Sequence, residues 1–316
     1  MLSRTADHLF WMARYTERAE NTARMLTVNL EAAMMSQVSA GPQPSWQAPL
    51  ASTELQSQFN AGHGEPDATE VMGFMALDEH NPSSIVSCLR RARENAHAVR
   101  GVLPSELWET INATWLMLQR HIETEFMAKD VGRFFEWVRY RSHLSRGVAM
   151  GTMLRDEAFH FIRLGTFLER ADNTARILDL KFHDQKTDND GSNNQQVDFY
   201  YWAALLRSLS AFEIYRKAYR DVISPPRVAE LLILRGDMPR SLLACMEELI
   251  AILAKVRNRT SAETERLAGQ VHAELRYADI DSILAHGLHQ YLAEFLARVS
   301  QIGQGLSRDF LTRART

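Results

Sequence analysis

Residues 17–24 read Glu-Arg-Ala-Glu-Asn-Thr-Ala-Arg, and residues 169–176 read Glu-Arg-Ala-Asp-Asn-Thr-Ala-Arg. Each octet sets two carboxylates beside two guanidiniums within about two helical turns. Groups so spaced shift one another's proton affinity. They suit general acid–base work, or a grip on the ammonium and carboxylate ends of an amino acid. At an offset of 152, positions 17–26 match 169–178 in eight of ten places, the exceptions being Glu20 against Asp172 and Met25 against Ile177. The match weakens upstream but persists, with His8 facing His160, Ala13 facing Gly165 and Tyr15 facing Phe167. The offset is about half of the 316 residues. It points to an internal duplication into two related halves and is far too long for a solenoid period.

Helical phase shows what was kept. At 100° per residue an apolar seam centres on Met12, Ala19 and Leu30, and Ala13, Glu17, Glu20 and Arg24 flank it. The second copy repeats that stripe with Gly165, Glu169, Asp172 and Arg176. A solvated face with local Glu–Arg pairs is the simplest reading, worth a few tenths of a kcal/mol per pair. It does not explain near-identity between copies whose remaining sequence has drifted. The preferred expectation is that the octets meet across a pseudo-two-fold axis. An antiparallel crossing near Asn21 and Asn173 would bring Glu17 to Arg176 and Glu169 to Arg24, with Ala13 and Gly165 letting the backbones approach.

The elements that must position these groups are helical almost throughout. Apolar residues recur at steps of three, four or seven, and no segment alternates convincingly as a strand. The expected fold is all-α: a bundle of eight to eleven helices with an internal pseudo-two-fold duplication. Its halves span 1–152 and 153–316 and form one domain. A polar, Pro- and Gly-bearing stretch at 39–66 reads as a long loop, and 184–196 as a flexible gap. Net charge is −3, so no basic field invites nucleic acid or an anionic membrane. Of the 36 basic residues only five are Lys. Genomic codon bias is the favoured explanation of this excess, and it is compatible with the sharper one, that guanidinium forks suit paired carboxylate sites better than ammonium does. Cys88 and Cys245 are far apart and read as buried thiols in a reducing compartment. No apolar run reaches membrane-spanning length and the N-terminus resembles no secretory signal, so the cytoplasm is the expected location.

Other groups have weaker claims. Glu157 and His160 form the E-x-x-H step of di-metal bundles, but Thr5 stands opposite Glu157 in the first copy, so no metal site is expected. His121, Glu123 and Glu125, and His286 with His289, have ligand-like spacing of the kind solvated helices also carry. Asp237-Met-Pro-Arg-Ser241 reads as a helix start, or as an anion site using Arg240 and Ser241. Phe199 to Trp202 reads as core. No phosphate loop, nucleophile elbow or triad order occurs, and no cofactor is expected.

The N-terminal MLSRTADHLFWMARYTERAENTAR, the later RDEAFHFIRLGTFLERADNTARILD and MPRSLLACMEEL together resemble the bacterial alpha-E domain family, over nearly the whole chain. The resemblance implies an all-α cytoplasmic protein. It also implies work beside ATP-grasp-type amide ligases and transglutaminase-like proteins, in making or handling a peptide-like product. The motif residues carried over are Glu17, Arg18, Glu20, Arg24, Asp156, Gly165, Glu169, Arg170, Asp172, Arg176, Pro239, Arg240 and Ser241. The leading expectation is an accessory or binding component. It would hold an amino-acid or peptide intermediate, or dock the ligase, through Arg18, Glu20, Arg24, Asp156, Arg170, Asp172, Arg176, Arg240 and Ser241. One alternative is an enzyme with Glu17 or Glu169 as general acid–base and arginines as carboxylate clamps. Another is a structural module whose octets lock the halves together.

Overall fold

Two long helices carry the octets. The first, α1 (Ser3–Ser39), opens the chain, and α9 (Glu157–Asp184) opens its second half. Both are buried on most sides, unlike a surface helix with one apolar stripe. Ala19, Ala23, Ala171 and Ala175 are fully enclosed, and such small residues let neighbours approach from several directions. The computed structural model describes residues 1–39, 44–184 and 195–311.

Around this pair the described residues form fourteen more helices and no strand. After α1 come α2 (Gln47–Ser52), α3 (Gln56–Asn60), α4 (Ala68–Ala76), α5 (Ile85–Ala98), α6 (Ser105–Glu123), α7 (Phe126–Lys129) and α8 (Val131–Thr152). After α9 come α10 (Gln195–Ser208), α11 (Phe212–Tyr219), α12 (Pro225–Ile233), α13 (Leu242–Val256), α14 (Ala262–Tyr277), α15 (Ile280–His286) and α16 (Leu288–Phe310). Sixteen helices exceed the eight to eleven expected, because helices of four to nine residues are too short to show a period. Two of these, α2 and α3, lie inside the stretch expected to be loop at 39–66. They are held by Leu50 and Phe59, which are fully buried. Most of the expected 184–196 gap lies outside the described residues, and α10 begins at Gln195.

The second eight helices match the first eight in order, and the matched positions share their environment. The turn after α2 and the turn after α10 both close with an i→i−5 bond, Leu55 N–H to Leu50 O at 2.8 Å and Ala211 N–H to Leu206 O at 2.7 Å. Each turn has one left-handed residue, Glu54 (φ 61°) and Ser210 (φ 55°). Ser84 caps α5 by accepting from Ser87 N–H at 3.2 Å, and Ser241 caps α13 by accepting from Ala244 N–H at 3.0 Å. These serines lie 157 residues apart, and burial follows that offset. Leu107, Ile111, Thr114 and Leu118 on α6 match Thr264, Ala268, Val271 and Leu275 on α14. Phe135, Val138, Ser142, Ser145 and Ala149 on α8 match Leu292, Phe295, Val299, Ile302 and Leu306 on α16. In each set α5 or α13 and α8 or α16 pack against the long helix of their own half.

Gly165 sets how closely the long helices approach. A Cβ there would run into the Phe10 carbonyl oxygen and come within 3.2 Å of the Ala13 Cβ. On α16, by contrast, a Cβ at Gly303 meets only Leu168 Cδ2, at 3.4 Å. Gly165→Ala should therefore cost about 1–3 kcal/mol through overpacking. Gly303→Ala should be neutral or stabilise by up to about 1 kcal/mol through helix propensity. Chemical denaturation followed by circular dichroism checks both, and equal effects would contradict this account of the helix contact.

Candidate functional site

The octets meet, but along parallel helices. Arg18 Nε donates to Glu169 at 2.5 Å, and Arg170 Nε donates to Glu17 at 2.9 Å. Arg14 Nε also donates to Glu169, at 2.6 Å. The Met1 amino group meets Glu157 at 2.5 Å, and Gly165 lies against Phe10 and Ala13. Partners separated by a near-constant difference of 151 to 156 residues require helices that run the same way. The expected antiparallel crossing, with Glu17 on Arg176 and Glu169 on Arg24, does not form. In its place each Glu-Arg dipeptide exchanges partners with the other, Glu17 to Arg170 and Arg18 to Glu169.

The last arginine of each octet stays on its own helix. Arg24 Nε donates to Glu20 at 2.9 Å, and Arg176 Nε donates to Asp172 at 2.8 Å. Each also donates to a carbonyl at the end of a short helix, Arg24 to Ser208 O closing α10 and Arg176 to Ser52 O closing α2. Those carbonyls have no partner within their own helices, so the two arginines act as C-terminal caps.

Glu17 and Glu20 attract further cations. Arg146 of α8 donates through Nη1 to Glu17 at 2.7 Å and to Glu20 at 2.5 Å. Arg240, just before α13, reaches Glu17 at 3.2 Å, Asn21 Oδ1 at 3.2 Å, and Glu20. His143 Nε2 lies 3.3 Å from Glu20. Four guanidiniums thus surround two carboxylates, both about 1 % exposed or less. Burial alone would raise the Glu17 carboxyl, but Arg170, Arg146 and Arg240 outweigh it and hold Glu17 at about 2. Burial also opposes ionisation of Glu169, and Arg18 and Arg14 overcome it, again to about 2. Glu20 is held well below the carboxylate range against burial, chiefly by Arg240 and Arg146. The Arg240 guanidinium is pulled down to about 9 by burial, with Arg24 and Arg170 adding to the shift against Glu20 and Glu17. Burial pushes the thiols of Cys88 and Cys245 up to about 12, so they are inert at neutral pH.

The paired helices leave a cavity on each side, with one exchanged pair in each wall. The first, of ≈ 320 Å³, lies between α1, α9, α6 and α8 and includes Glu17 and Arg170. The second, of ≈ 770 Å³, lies between α1, α9, α16 and the turn after α2, and includes Arg18 and Glu169. Its other charged lining groups are Arg14, Arg176, Glu54 and Asp172.

Other expected site residues are accounted for locally. Asp156 accepts from Phe159 N–H at 3.2 Å and is an exposed cap for α9. Ser241 is wholly buried, capping α13 while donating to Arg235 O at 2.6 Å. Of the two readings of this stretch, the helix start holds, and Arg240 turns inward to Glu17 and Glu20 instead of offering an anion site with Ser241. Glu157 receives the Met1 amino group, and His160 is a buried imidazole whose pKa burial lowers, helped by Lys255 and Arg163. Among the described residues no three potential metal ligands converge. His289 pairs with Asp179 at 2.7 Å, and His286 lies 3.4 Å from Glu294. Tyr201 and Trp202 are core. Sequence reasoning missed Arg14, Glu54, Ser83, His143, Arg146 and Gly303. The signal that finds several of them is the offset of 157, which sets Pro82-Ser83-Ser84 and Cys88 against Pro239-Arg240-Ser241 and Cys245.

Because Glu17 and Glu169 titrate lower in the fold than their ordinary 4.5, the stability they contribute is full above that value and is lost as pH falls toward 2. Urea unfolding should show a steep loss below about pH 4.5. Glu17→Gln or Glu169→Gln, which strands buried guanidiniums, should cost about 3–5 kcal/mol at neutral pH. An unchanged unfolding midpoint for both variants would show that the exchange does not hold the helices.

Residues 1–311 match the model of Alpha-E, described as "a predicted alpha-helical domain with a conserved ER motif". The chain is 25 % identical over 317 aligned positions to the uncharacterized proteins Mb2597 of Mycobacterium bovis and Rv2567 of Mycobacterium tuberculosis. The match covers 94 % of this chain but only 35 % of those proteins, so it spans about a third of their length. No solved structure matches. No helix among the described residues is long and apolar enough to cross a membrane. The chain belongs to the Alpha-E family.

Proposed function

We propose that this protein is a binding component of an ATP-grasp-type amide-ligase system, and that its larger cavity holds an amino acid or short peptide by both charged ends. The reading extends to the partners implied by the family resemblance, a ligase and a transglutaminase-like protein. It is carried by one departure from the matched pattern. At the positions where the smaller cavity's junction has Arg146 and Arg240, offset by 157, the larger cavity has Gly303 and Ser83. Two bulky cations are thus replaced by small residues, which opens space beside Arg18 and Glu169.

The lining suits a zwitterion. Three guanidiniums (Arg14, Arg18, Arg176) stand with three carboxylates (Glu54, Asp172, Glu169). Arg14 uses only Nε, and Arg18 only Nε and Nη2, on Glu169, so both keep N–H groups for a carboxylate. Glu54 is 80 % exposed in its side chain, and its carboxylate is accessible to an ammonium group. The longer mycobacterial relatives fit a module that works beside others. The matched helices favour descent of both halves from one eight-helix unit. The alternative of Glu17 or Glu169 as general acid–base is opposed by carboxyls held near 2, ionised at neutral pH and too weakly basic to take a proton.

Co-expression with the neighbouring ATP-dependent ligase, followed by mass spectrometry, should reveal a peptide-like product that depends on this chain. Gly303→Arg restores the bulk of Arg146 at the matched position and should abolish that product while leaving the thermal midpoint within about 2 °C. Product formation undiminished by a folded Gly303→Arg variant would rule out the larger cavity as the site.

A further inference from the structure

We propose that the smaller cavity is a second binding site, separate from the zwitterion site, and that it takes an apolar monocarboxylate. Most of its lining is hydrocarbon, contributed by Met12, Leu107, Ile111, Phe159, Ile162 and Phe167. Its charged lining groups are Glu17 and three guanidiniums, Arg146, Arg163 and Arg170. An apolar chamber with cations in its wall selects a ligand with a hydrocarbon body and an anionic head.

The hydrogen bonding shows capacity left over. Arg146 makes all its bonds through Nη1, to Glu17, Glu20 and Ser142, so its Nε and Nη2 are unengaged among the described residues. Arg163 uses only Nη2, on Glu248 at 2.6 Å, while lying over the Phe159 and Phe167 rings. Arg170 uses Nε and Nη2 on Glu17 and leaves Nη1. An Nε/Nη2 edge such as that of Arg146 is the fork that takes a carboxylate with two parallel bonds. The adjoining buried cluster also lacks negative charge. Arg24, Arg146, Arg170 and Arg240 bring four positive charges against the two of Glu17 and Glu20. His143 faces the same group, and the buried Asn21 Nδ2 has no acceptor. A ligand carboxylate at Arg146 and Arg170 lowers that excess.

Size narrows the class. A cavity of about 150 Å³ accepts benzene, so one of ≈ 320 Å³ accommodates about twelve non-hydrogen atoms. Medium-chain fatty acids and arylalkanoic acids fall in this range. The head and body chemistry is shared by both, and a pair of probes separates them.

The test is isothermal titration of the intact chain with decanoate and with 4-phenylbutyrate, using decylammonium and acetate as controls. One saturable site for at least one apolar carboxylate is expected, with neither control binding there. Tighter decanoate points to an acyl chain, and tighter phenylbutyrate to an aryl acid. Arg163→Met, outside the buried ion cluster, should weaken binding about tenfold. Ala149→Leu, which installs the residue that α16 carries at the matched Leu306, should fill the chamber and abolish binding while the circular dichroism spectrum is unchanged. Gly303→Arg should leave carboxylate binding intact, so this site and the zwitterion site stand or fall separately. The proposal is overturned if neither carboxylate saturates a site, if decylammonium binds as well as decanoate, or if folded Ala149→Leu binds like the parent.

Discussion

The exchange of carboxylate and guanidinium between two parallel, desolvated helices is the constraint around which this molecule is built. A buried charge left alone costs several kcal/mol, whereas a buried pair with its hydrogen bonds complete is tolerated. Glu17 and Glu169 are therefore acceptable only if α1 and α9 lie in one register, each carboxylate opposite the arginine that follows its counterpart. Apolar contact alone would not enforce this, because alanine seams slide with little penalty. The contact of Gly165 with Phe10 and Ala13 brings the backbones close enough for the side chains to span the gap.

Once that register is set, the remaining helices have little choice. Arg24 and Arg176 reach past their own helices to the ends of α10 and α2, tying each half's first short helix to the other half's long helix. The octet's eight positions divide their work: Glu and Arg at the start cross between copies, Ala faces the packing seam, and the final Arg caps a neighbour. Each role is used twice, and the two octets that meet it are nearly identical, whereas α8 and α16 share few residues. Those outer helices share most of their buried positions but differ at the cavities: Arg146 lines the smaller one and the matched Gly303 the larger, while Ala149 lines the smaller one and the matched Leu306 is core. A frame maintained by charge exchange leaves the cavity linings free to differ.

Much of this could be read in the sequence. The helical class, the importance of Glu17, Arg18, Glu169 and Arg170, the close approach at Gly165 and the Ser241 cap follow from periodicity, repetition and capping chemistry. Helix direction did not follow. Phase specifies which face a residue occupies, and a face is the same whether its partner runs parallel or antiparallel. Only the contact differences distinguish the two. Short helices such as α2 and α3 resemble loop in the sequence because Leu50 and Phe59 are single anchors without a period. Arg146 and Gly303 carry no local signal, since each acts across the gap between helices. They become visible only when the halves are aligned at 157 instead of 152, a shift of which four residues accumulate between Arg176 and Leu206 relative to Arg24 and Leu50, and one more before Ser241 relative to Ser84.

The unequal charge of the two junctions also bears on how they differ. Glu169 meets two arginines, and both line the roomier cavity. Glu17 and Glu20 meet four, of which Arg24 and Arg240 are sealed from solvent. In the low dielectric of such a cluster, repulsion between like charges is many times stronger than at a surface. The depression of Arg240 expresses it. A purely structural lock would be expected to approach charge balance, since each surplus cation repels the others at close range. The first junction departs from balance beside a chamber of hydrocarbon, and Arg146 of α8 belongs to both, lining the chamber while bonding Glu17 and Glu20 through Nη1.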